Sequence, residues 1–476
     1  MTNAQPTFAT TAELDPDTCR RARLSRDPRF DGEFYIAVTT TGIYCRPICP
    51  ARPPAEKHVR YFKNAVGAAQ SGFRPCLRCR PESAPGSPAW QGSSTTLQRA
   101  LSLIGEGALN EGSLPQLAAR LGIGERYLRK LFEQELGVSP QAVALNQRLL
   151  FAKKLLAETA LPLAEVAYAS GFGSVRRFNS AVREQFRLTP GDMRRQQRTT
   201  SPGAGIQLQL QYRPPYNWEL VADFFSRHAI AGLEEATDKR YRRHLVINGK
   251  PGSVTVSPLA RGNALHLELD VPDHSQLITL VARIRRMFDL DANPDAINQA
   301  LGRDPRLKPL LKKYPGMRAP SHWSLFESCV RGVVGQQVSV AAARTVLGRL
   351  VYSCNPNTQV TNFPQPSELL ALPLADLPMP GKRRETLRRV CTLFVQSATD
   401  PEIEAIAGLA GIGPWTVDLV GLRGLGQPDR FPEKDLGLIR AWHNLVQDET
   451  PLVAAQQDWR PWRSYAANLL WKSLSA

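Results

Sequence analysis

Cys45-Arg46-Pro47-Ile48-Cys49 and Cys76-Leu77-Arg78-Cys79 are two close cysteine pairs, separated by 26 residues, in a chain of 476 residues. Only eight cysteines occur in the whole sequence, so chance rarely produces two such pairs. Two close pairs can supply four thiolates to one tetrahedral zinc ion, which then holds a small fold together. The alternative is four separate buried thiols. The spacing favours a zinc site with the ligands Cys45, Cys49, Cys76 and Cys79.

The chain is strongly basic, with a formal net charge of +17. The excess is concentrated in residues 1–200, which carry 28 basic and 17 acidic side chains. A basic balance of this size favours a polyanionic partner, most simply nucleic acid. General solubility is the alternative explanation.

The sequence gives no sign of membrane insertion or export. It has no run of about 18 apolar residues, and residues 1–18 lack the basic start and apolar core of a signal peptide. The other cysteines lie far apart, as reduced thiols of a cytosolic protein do. We therefore expect a cytoplasmic protein without a membrane partner.

The segment 95–196 has a helical pattern with two similar units, at 114–132 and 163–183. Each unit has a short amphipathic helix, a glycine turn and a second helix with basic residues, as helix-turn-helix motifs do. Glycine suits a turn in which the chain takes positive φ. Helical hairpins unrelated to DNA are common, but two such units about 49 residues apart favour DNA binding.

This pair resembles the AraC/XylS-type DNA-binding domain. Gly171-Phe172-Gly173-Ser174 followed by Phe178, and then Phe186-Arg187-Leu188-Thr189-Pro190, match the second motif of that family. The resemblance implies recognition helices at 124–135 and 174–186, a promoter operator as DNA partner and RNA polymerase as protein partner. The basic side chains expected to reach DNA are Arg126, Arg129, Arg176 and Arg177.

The cysteine segment resembles the zinc-binding domain of Ada adaptive-response proteins over about residues 10–82, with both cysteine pairs in register. In that family one zinc-bound thiolate takes a methyl group from a DNA methylphosphotriester. The resemblance implies that Cys45 is the acceptor and that the other three cysteines are supporting ligands. A purely structural zinc site is the alternative, and spacing alone does not separate the two.

Methyl transfer to Cys45 would change the charge that faces DNA. Four thiolates leave a zinc site with net negative charge, which repels phosphate. Methylating one thiolate removes part of that charge and would strengthen operator binding. The candidates for phosphate contacts around the site are Arg46, Arg74, Arg78 and Arg80.

Further along the chain, Leu409-Ala410-Gly411-Ile412-Gly413-Pro414-Trp415-Thr416 is typical of a helix-hairpin-helix turn. Gly411 and Gly413 allow a tight turn that presents backbone N–H groups to a DNA phosphate. A Gly-x-Gly core is weak evidence by itself, but Phe431-Pro432-Glu433-Lys434-Asp435 follows at a suitable distance. Residues 206–212 alternate as a strand does, and the pattern from 321 onward predicts helices.

These features resemble the AlkA-type 3-methyladenine glycosylases of the helix-hairpin-helix superfamily, over about residues 206–476. Further matches are Pro214-Pro215-Tyr216-Asn217-Trp218, Gly335-Gln336-Gln337-Val338-Ser339 and Arg460-Pro461-Trp462-Arg463-Ser464. The resemblance implies hydrolysis of the N-glycosidic bond of an alkylated base, such as 3-methyladenine, after the base is flipped out of the duplex.

The resemblance also assigns roles to residues. Asp435 would be the catalytic carboxylate, beside a sugar that develops positive charge as the bond breaks. It could also cap a helix that begins at Leu436, and both roles can hold together. Trp415, Trp471 and Phe224 would line a pocket that binds the cationic base through stacking and cation–π attraction. Each of these rings could instead be an ordinary core aromatic.

The sequence departs from the best-known AlkA-type enzyme at several positions. Gln337 stands where the family inserts a side chain, a leucine in that enzyme, into the gap left by the flipped base. Leu419 and Leu436 stand where that enzyme has tyrosines, which predicts a less aromatic pocket. No lysine lies in the hairpin, where bifunctional glycosylases place their Schiff-base amine, and adjacent helical residues such as Lys434 and Asp435 point apart. We expect a monofunctional enzyme.

The sequence thus predicts a multidomain, mainly α-helical protein. The expected domains are a four-cysteine zinc α/β domain at 10–82, an all-α double helix-turn-helix domain at 95–196, an α+β subdomain at 206–320 and an all-α helix-hairpin-helix glycosylase domain at 321–476. The expected function is DNA alkylation repair with adaptive-response regulation, with one Zn²⁺. The alternative is a methylation-sensing activator whose C-terminal part binds double-stranded DNA without glycosylase activity.

Overall fold

A computed structural model of the chain describes residues 15–76, 78–79, 81, 84, 95–110, 112–195, 205–356, 362–374, 377–397, 399–446 and 450–474. Two compact units are present. The first is made of Met1–Ala157, Leu161–Thr199 and Leu277–Thr279, and the second of Glu158–Ala160, Thr200–Gln276 and Leu280–Ala476. Arg80 and most of the Pro-, Gly- and Ser-rich stretches at 81–88 and 199–205 lie outside the described residues.

The first unit begins with a small four-stranded sheet in the order β3-β1-β2-β4. Its elements are α1 Pro16–Ser25, β1 Tyr35–Val38, β2 Ile43–Cys45, β3 Val59–Phe62, α2 Ala65–Gln70 and β4 Arg74–Pro75. All pairings are antiparallel except that of β2 with β4, which is parallel. Small and aromatic side chains, including Ala37, Tyr44 and Ala68, form the core beneath the sheet.

In the part of the first unit that the structure describes, seven helices follow the sheet: α3 Thr95–Gly105, α4 Leu114–Arg120, α5 Glu125–Leu136, α6 Pro140–Glu158, α7 Leu163–Ala169, α8 Val175–Phe186 and α9 Pro190–Arg195. Gly122 (φ +66°) and Gly171 (φ +80°) stand in the turns of the two motifs, in the left-handed region that favours glycine. Ser113 caps α4 through a reciprocal hydrogen-bonded box with Gln116. The two predicted helix-turn-helix units are therefore present.

The second unit contains a five-stranded antiparallel sheet in the order β5-β9-β8-β7-β6. The strands are β5 Ile206–Gln211, β6 Glu234–Ala236, β7 Tyr241–Ile247, β8 Lys250–Pro258 and β9 Ala264–Asp270. In β5 the apolar residues Ile206, Leu208 and Leu210 are buried and the alternating glutamines face outward. This alternation is the one that the sequence shows.

The rest of the second unit is helical, with α10 Trp218–His228, α11 Leu277–Met287, α12 Pro294–Leu301, α13 Lys308–Lys313, α14 Leu325–Gly335, α15 Val340–Cys354, α16 Pro366–Ala371, α17 Gly381–Gln396, α18 Ile403–Ala407, α19 Pro414–Arg423, α20 Leu436–Leu445, α21 Leu452–Ala455 and α22 Arg463–Ser473. Two apolar cores hold these helices together. The fold class, a multidomain and mainly helical chain, is as predicted.

Helix α10 was missed by the sequence reasoning, although its signals are present. Asn217 caps it by accepting a hydrogen bond from Leu220 N at 3.1 Å. Val221, Ala222 and Phe225 then bury one face at helical spacing. This helix carries one wall of the cavity described below.

Among the described residues, no helix combines the length and the apolar character that crossing a membrane requires.

Candidate active site and metal centre

The four cysteines meet where two paired strands end. In the parallel pairing of β2 with β4, Tyr44 lies opposite Pro75, so Cys45 and Cys76 follow at the same end. Cys76 N donates to Tyr44 O at 2.9 Å and fixes this register. The four sulfur atoms all lie within 4.8 Å of one another. Tetrahedral zinc with Zn–S bonds of about 2.3 Å separates its sulfurs by about 3.8 Å, so the cluster has a suitable size.

The electrostatics of the cluster also suit a cation. Hydrogen bonds from Cys45 and Cys49 lower the pKa of Cys76, whereas hydrogen bonding with Cys49 raises the pKa of Cys45. Without a cation, neighbouring thiols therefore cannot all be ionised together. Backbone N–H groups of Arg46 and Arg78 point at Cys79 Sγ and Cys76 Sγ, at 3.3 and 3.4 Å. A set of four soft sulfur donors with such N–H support fits Zn²⁺.

The two cysteine pairs differ in exposure. Cys76 and Cys79 are buried, whereas Cys45 and Cys49 are half-buried. A thiolate that attacks a group on DNA must be reachable from outside. Cys45 belongs to the reachable pair.

Arg46 does not lie where the sequence reasoning expected it. It is 4% exposed, and its guanidinium forms a two-pronged ion pair with the buried Asp31. It also donates to Cys79 O at 3.1 Å. Arg46 therefore links Asp31 to the backbone of Cys79 in the protein interior. The prediction that Arg46 contacts a DNA phosphate was wrong. Arg74 and Arg78 are exposed, as a phosphate contact requires.

The four predicted DNA-contacting arginines lie on the second helices of the two helix-turn-helix units. Arg126 and Arg129 are exposed on α5, and Arg176 and Arg177 are exposed on α8. Arg129 forms an ion pair with Glu125 at 2.6 Å, one helical turn away. Contact with a phosphate would have to compete with that pair.

The helix-hairpin-helix turn joins α18 to α19. Gly411 has φ +93°, and a side chain there would collide with Thr386 Oγ1, so glycine is required. Gly413 caps α19 with an ordinary φ of −99° and open space around it. The fold itself does not demand glycine at 413, but an approaching DNA backbone would.

Gln337 is exposed between α14 and α15 in the left-handed region, at φ +56°. Its neighbour Gln336 donates to Gly411 O at 3.0 Å and to Thr416 Oγ1 at 3.1 Å. The turn that carries Gln337 is thereby tied to the hairpin, and Gln337 is exposed to solvent.

Asp435 is the N-cap of α20 and is held by three donors. Its Oδ1 accepts from Leu438 N and from Trp471 Nε1, and its Oδ2 accepts from Trp415 Nε1, each at 2.9 Å. Asp435 thus caps α20, one of the two roles that the sequence reasoning considered, and it also accepts hydrogen bonds from both tryptophans. The exposed Lys434 does not line the cavity beside the carboxylate.

Asp435 opens on a cavity of about 440 Å³, large enough for a purine. The predicted pocket residues Trp415, Trp471 and Phe224 all line it. Leu419 also lines it, whereas Leu436 is 79% exposed and does not. The structure thus brings the predicted carboxylate and all three predicted rings to one cavity, across more than 200 residues of sequence.

The sequence reasoning missed the polar wall of this cavity, formed by His228, His322 and Arg423. Burial lowers the pKa of His228 to about 4 and that of His322 well below its usual range, and the nearby Arg331 and Arg423 act in the same direction. Burial also lowers the pKa of Arg423 to about 9. Its guanidinium lies over the rings of Phe224 (4.4 Å) and Trp471 (5.2 Å).

The sequence reasoning also missed two positions near Asp435, Lys472 and Gly437. Lys472 lines the cavity and donates to Asp223 Oδ2 at 2.8 Å. Burial alone would raise the pKa of Asp223, but its hydrogen bonds with Lys472 and Arg227 outweigh burial and lower it. Gly437 packs so closely that a Cβ would lie 2.9 Å from Asp435 Oδ1.

Three parts of the chain match known families. Residues 18–82 match the metal binding domain of Ada, residues 117–196 a helix-turn-helix domain, and residues 207–324 the AlkA N-terminal domain. The four-cysteine cluster is accordingly a Zn²⁺ site.

Relatives match the chain in whole or in part. A probable bifunctional transcriptional activator/DNA repair enzyme AlkA of Mycobacterium tuberculosis is 39% identical over 485 residues, with 97% of each chain covered. DNA-3-methyladenine glycosylase 2 of Escherichia coli is 29% identical over 282 residues, covering 55% of this chain and 95% of that protein. The bifunctional transcriptional activator/DNA repair enzyme Ada of Escherichia coli is 40% identical over 129 residues, covering 27% and 35%.

Proposed function

The chain belongs to the family of AlkA-type bifunctional transcriptional activator/DNA repair enzymes, and from this premise we propose how its residues divide the work. It is a DNA alkylation repair protein that combines glycosylase activity, a zinc site and a DNA-binding helix-turn-helix region. The observation that carries the assignment of roles is the placement of Asp435, Trp415, Trp471 and Phe224 around one cavity.

Base release takes place at Asp435. The alkylated base enters the cavity and lies against the aromatic side chains that line it, whose π electrons attract its positive charge. As the N-glycosidic bond breaks, its electron pair leaves with the base and the sugar becomes cationic. The fixed carboxylate of Asp435 stabilises that cation until a water molecule adds to the sugar carbon and releases a proton to the solvent. The hairpin at Gly411 and Gly413 and the side chain of Gln337 hold the distorted duplex.

The glycosylase is monofunctional. Among the described residues, Lys472 is the one lysine that lines the cavity, and the carboxylate of Asp223 holds it in an ion pair. An ammonium group in such a pair has no free electron pair with which to attack the sugar. Borohydride should therefore trap no covalent complex with DNA.

Methyl transfer takes place at Cys45. Bound zinc would be held by Cys45, Cys49, Cys76 and Cys79 and would keep their sulfurs as thiolates. Cys45 Sγ attacks the methyl carbon of a methylphosphotriester, and the carbon–oxygen bond breaks. The phosphate oxygen keeps the electron pair and regains its negative charge, and Cys45 becomes a thioether. Each chain performs this reaction once.

Methylation of Cys45 changes the affinity with which the helix-turn-helix region binds its operator. The net negative charge of the thiolate cluster repels phosphate, and methylation of Cys45 reduces it, so operator binding strengthens. RNA polymerase at the promoter would be the protein partner. These roles place the protein in the cytoplasm, where its DNA partners are.

One experiment tests both activities together. Wild type, Asp435→Asn and the exposed-site control Asp458→Asn are each incubated with methylated duplex DNA, and released bases and methylated peptides are identified by mass spectrometry. We expect 3-methyladenine from wild type and the control, at least about 100-fold less from Asp435→Asn, and methyl on Cys45 in all three. A wild type that binds DNA and gains methyl on Cys45 but releases no base would establish the non-enzymatic activator instead.

A further inference from the structure

The wall of the cavity formed by the end of α10 carries an imidazole that the proposed mechanism does not use. His228 lies one helical turn after Phe224, and the two rings stack with centroids 4.4 Å apart. His228 lines the same cavity as Asp435. It therefore lies where an edge of a stacked base would come within reach.

The backbone fixes which nitrogen of His228 carries hydrogen. His228 Nδ1 lies 2.7 Å from Phe224 O, and a carbonyl oxygen can only accept, so Nδ1 is the donor. In an uncharged imidazole, Nε2 is then left with a lone pair. Among the described residues, no group forms a hydrogen bond with His228 Nε2. Nε2 is also not one of the polar side-chain atoms that are fully buried without a partner. It is an acceptor that opens on the cavity.

A series of contacts links this acceptor to Asp435 through three intervening side chains. Asp435 is hydrogen-bonded to Trp471, and Trp471 lies against the guanidinium of Arg423. Arg423 in turn lies against Phe224, which stacks on His228. The carboxylate must lie beside the sugar. A purine that spans this series from the sugar to His228 would present to His228 the edge far from its glycosidic nitrogen.

The position of His228 is held from behind by buried ions. Arg331 donates to His228 O at 2.7 Å and pairs with Glu234 at 2.6 Å and with Glu327 at 2.8 Å. Arg243 pairs with the same two carboxylates at 2.9 and 2.6 Å. This closed cluster of two acids and two bases fixes the end of α10, so the acceptor is oriented before a base arrives.

We propose that His228 Nε2 accepts a hydrogen bond from the exocyclic amino group of the flipped base, so that the cavity favours alkylated adenines over alkylated guanines. The inference rests on the proposed glycosylase function and adds a substrate preference to it. Adenine carries its amino donor at position 6, far from the glycosidic nitrogen, whereas guanine carries a carbonyl oxygen there. The lone pair of Nε2 attracts the first and repels the second.

The test uses one substrate that presents both bases. Dimethyl-sulfate-treated duplex DNA contains 3-methyladenine and 7-methylguanine, both cationic, so their ratio among released bases does not depend on charge or on the active fraction of enzyme. Full-length His228→Phe keeps the stacking ring and removes the acceptor. His228→Gln keeps an acceptor oxygen. His443→Phe makes the same substitution at an exposed site outside the cavity.

We expect His228→Phe to lower the ratio of 3-methyladenine to 7-methylguanine by about tenfold, the usual effect of one hydrogen bond from a charged donor. His228→Gln and His443→Phe should stay within about twofold of wild type. Equal losses of both bases in His228→Phe would overturn the recognition role and leave the glycosylase intact. A wild type that releases neither base would overturn the proposed function itself.

Discussion

Trp471 donates its indole Nε1–H to Oδ1 of Asp435 at 2.9 Å, the same oxygen that caps helix α20. Trp415 holds the other oxygen at the same distance. A carboxylate has about four acceptor positions, and protein donors fill three of them. The pocket rings thus serve a second purpose, because they hold the carboxylate in one orientation as well as lining the space for the base.

Replacing Trp471 by Phe should separate these two purposes. The variant keeps an aromatic face in the cavity but removes the donor to Asp435. We expect base release in a single turnover to slow by about 10- to 100-fold, the range for losing a hydrogen bond to a charged group. The control is Trp218→Phe, which removes an indole bond to Asp238 O outside the cavity. Equal rates in the two variants would show that the ring alone matters.

Much of this site could be predicted from sequence because family motifs record it. Gly411, Trp415 and Asp435 lie in two short runs, and their proposed roles follow from their positions in the motifs. His228 could also have been found: once Phe224 is placed on a helix, a residue four positions later must share its face. The missing step was helix α10 itself.

Other features could not be predicted, because they depend on contacts between distant segments. Arg46 lies between the first two cysteines with no acidic residue near it in sequence, and only the fold brings Asp31 against it. The same is true of Lys472, whose partner Asp223 is 249 residues away. A charge in a sequence does not show whether its partner is DNA or the protein itself.

Gly437→Ala should reduce activity without destabilising the fold. Alanine normally stabilises a helix interior relative to glycine by about 1 kcal/mol. Here the new Cβ would lie 2.9 Å from Asp435 Oδ1 and 3.3 Å from Trp471 Cδ1. The hydrogen bond between them must therefore shift. Because Gly437 is the second residue of α20 and Asp435 Oδ1 caps that helix, the weakened cap should offset the stability that alanine adds, while base release falls by about tenfold or more.

The matched control for this variant is Gly348→Ala in α15, where the added methyl meets nothing within 4 Å. It should gain the stability that alanine adds to a helix interior and keep full activity. Loss of activity in both variants would mean that helix rigidity, and not the contact with Asp435, is responsible.

Removing zinc should abolish methyl transfer and leave base release intact. The four cysteines tie the ends of β2 and β4 together, so loss of the ion should loosen the small sheet in the first unit. The cavity and Asp435 lie wholly in the second unit. We expect Cys49→Ala to lose bound zinc and methyl uptake, as measured by metal analysis and peptide mass, while releasing bases at the wild-type rate.

Cys19→Ala is the control for this experiment, since Cys19 is a buried thiol of the same unit outside the cluster. It should keep both zinc and methyl uptake. A Cys49→Ala variant that still acquires methyl on Cys45 would mean that the thiol reacts without the complete metal site.

His228 should make the second unit less stable in mild acid. Its pKa is lowered to about 4 in the fold, first by burial and then by Arg423 and Arg331, against the ordinary 6.5 of an unfolded chain. Between pH 6.5 and 4 the imidazole of His228 therefore binds a proton in the unfolded chain but not in the folded chain. The free energy of unfolding consequently falls as pH falls through this window. Between pH 7 and pH 5 the loss should be about 2 kcal/mol.

The measurement is urea unfolding followed by tryptophan fluorescence, which reports mainly on the second unit because all tryptophans except Trp90 belong to it. Burial raises the pKa of Asp289 to about 6, which acts in the opposite direction over part of this range. The informative quantity is therefore the difference between wild type and His228→Phe. The variant should lose about 2 kcal/mol less than wild type between pH 7 and pH 5. Parallel pH profiles would mean that His228 is protonated as readily in the folded chain as in the unfolded one.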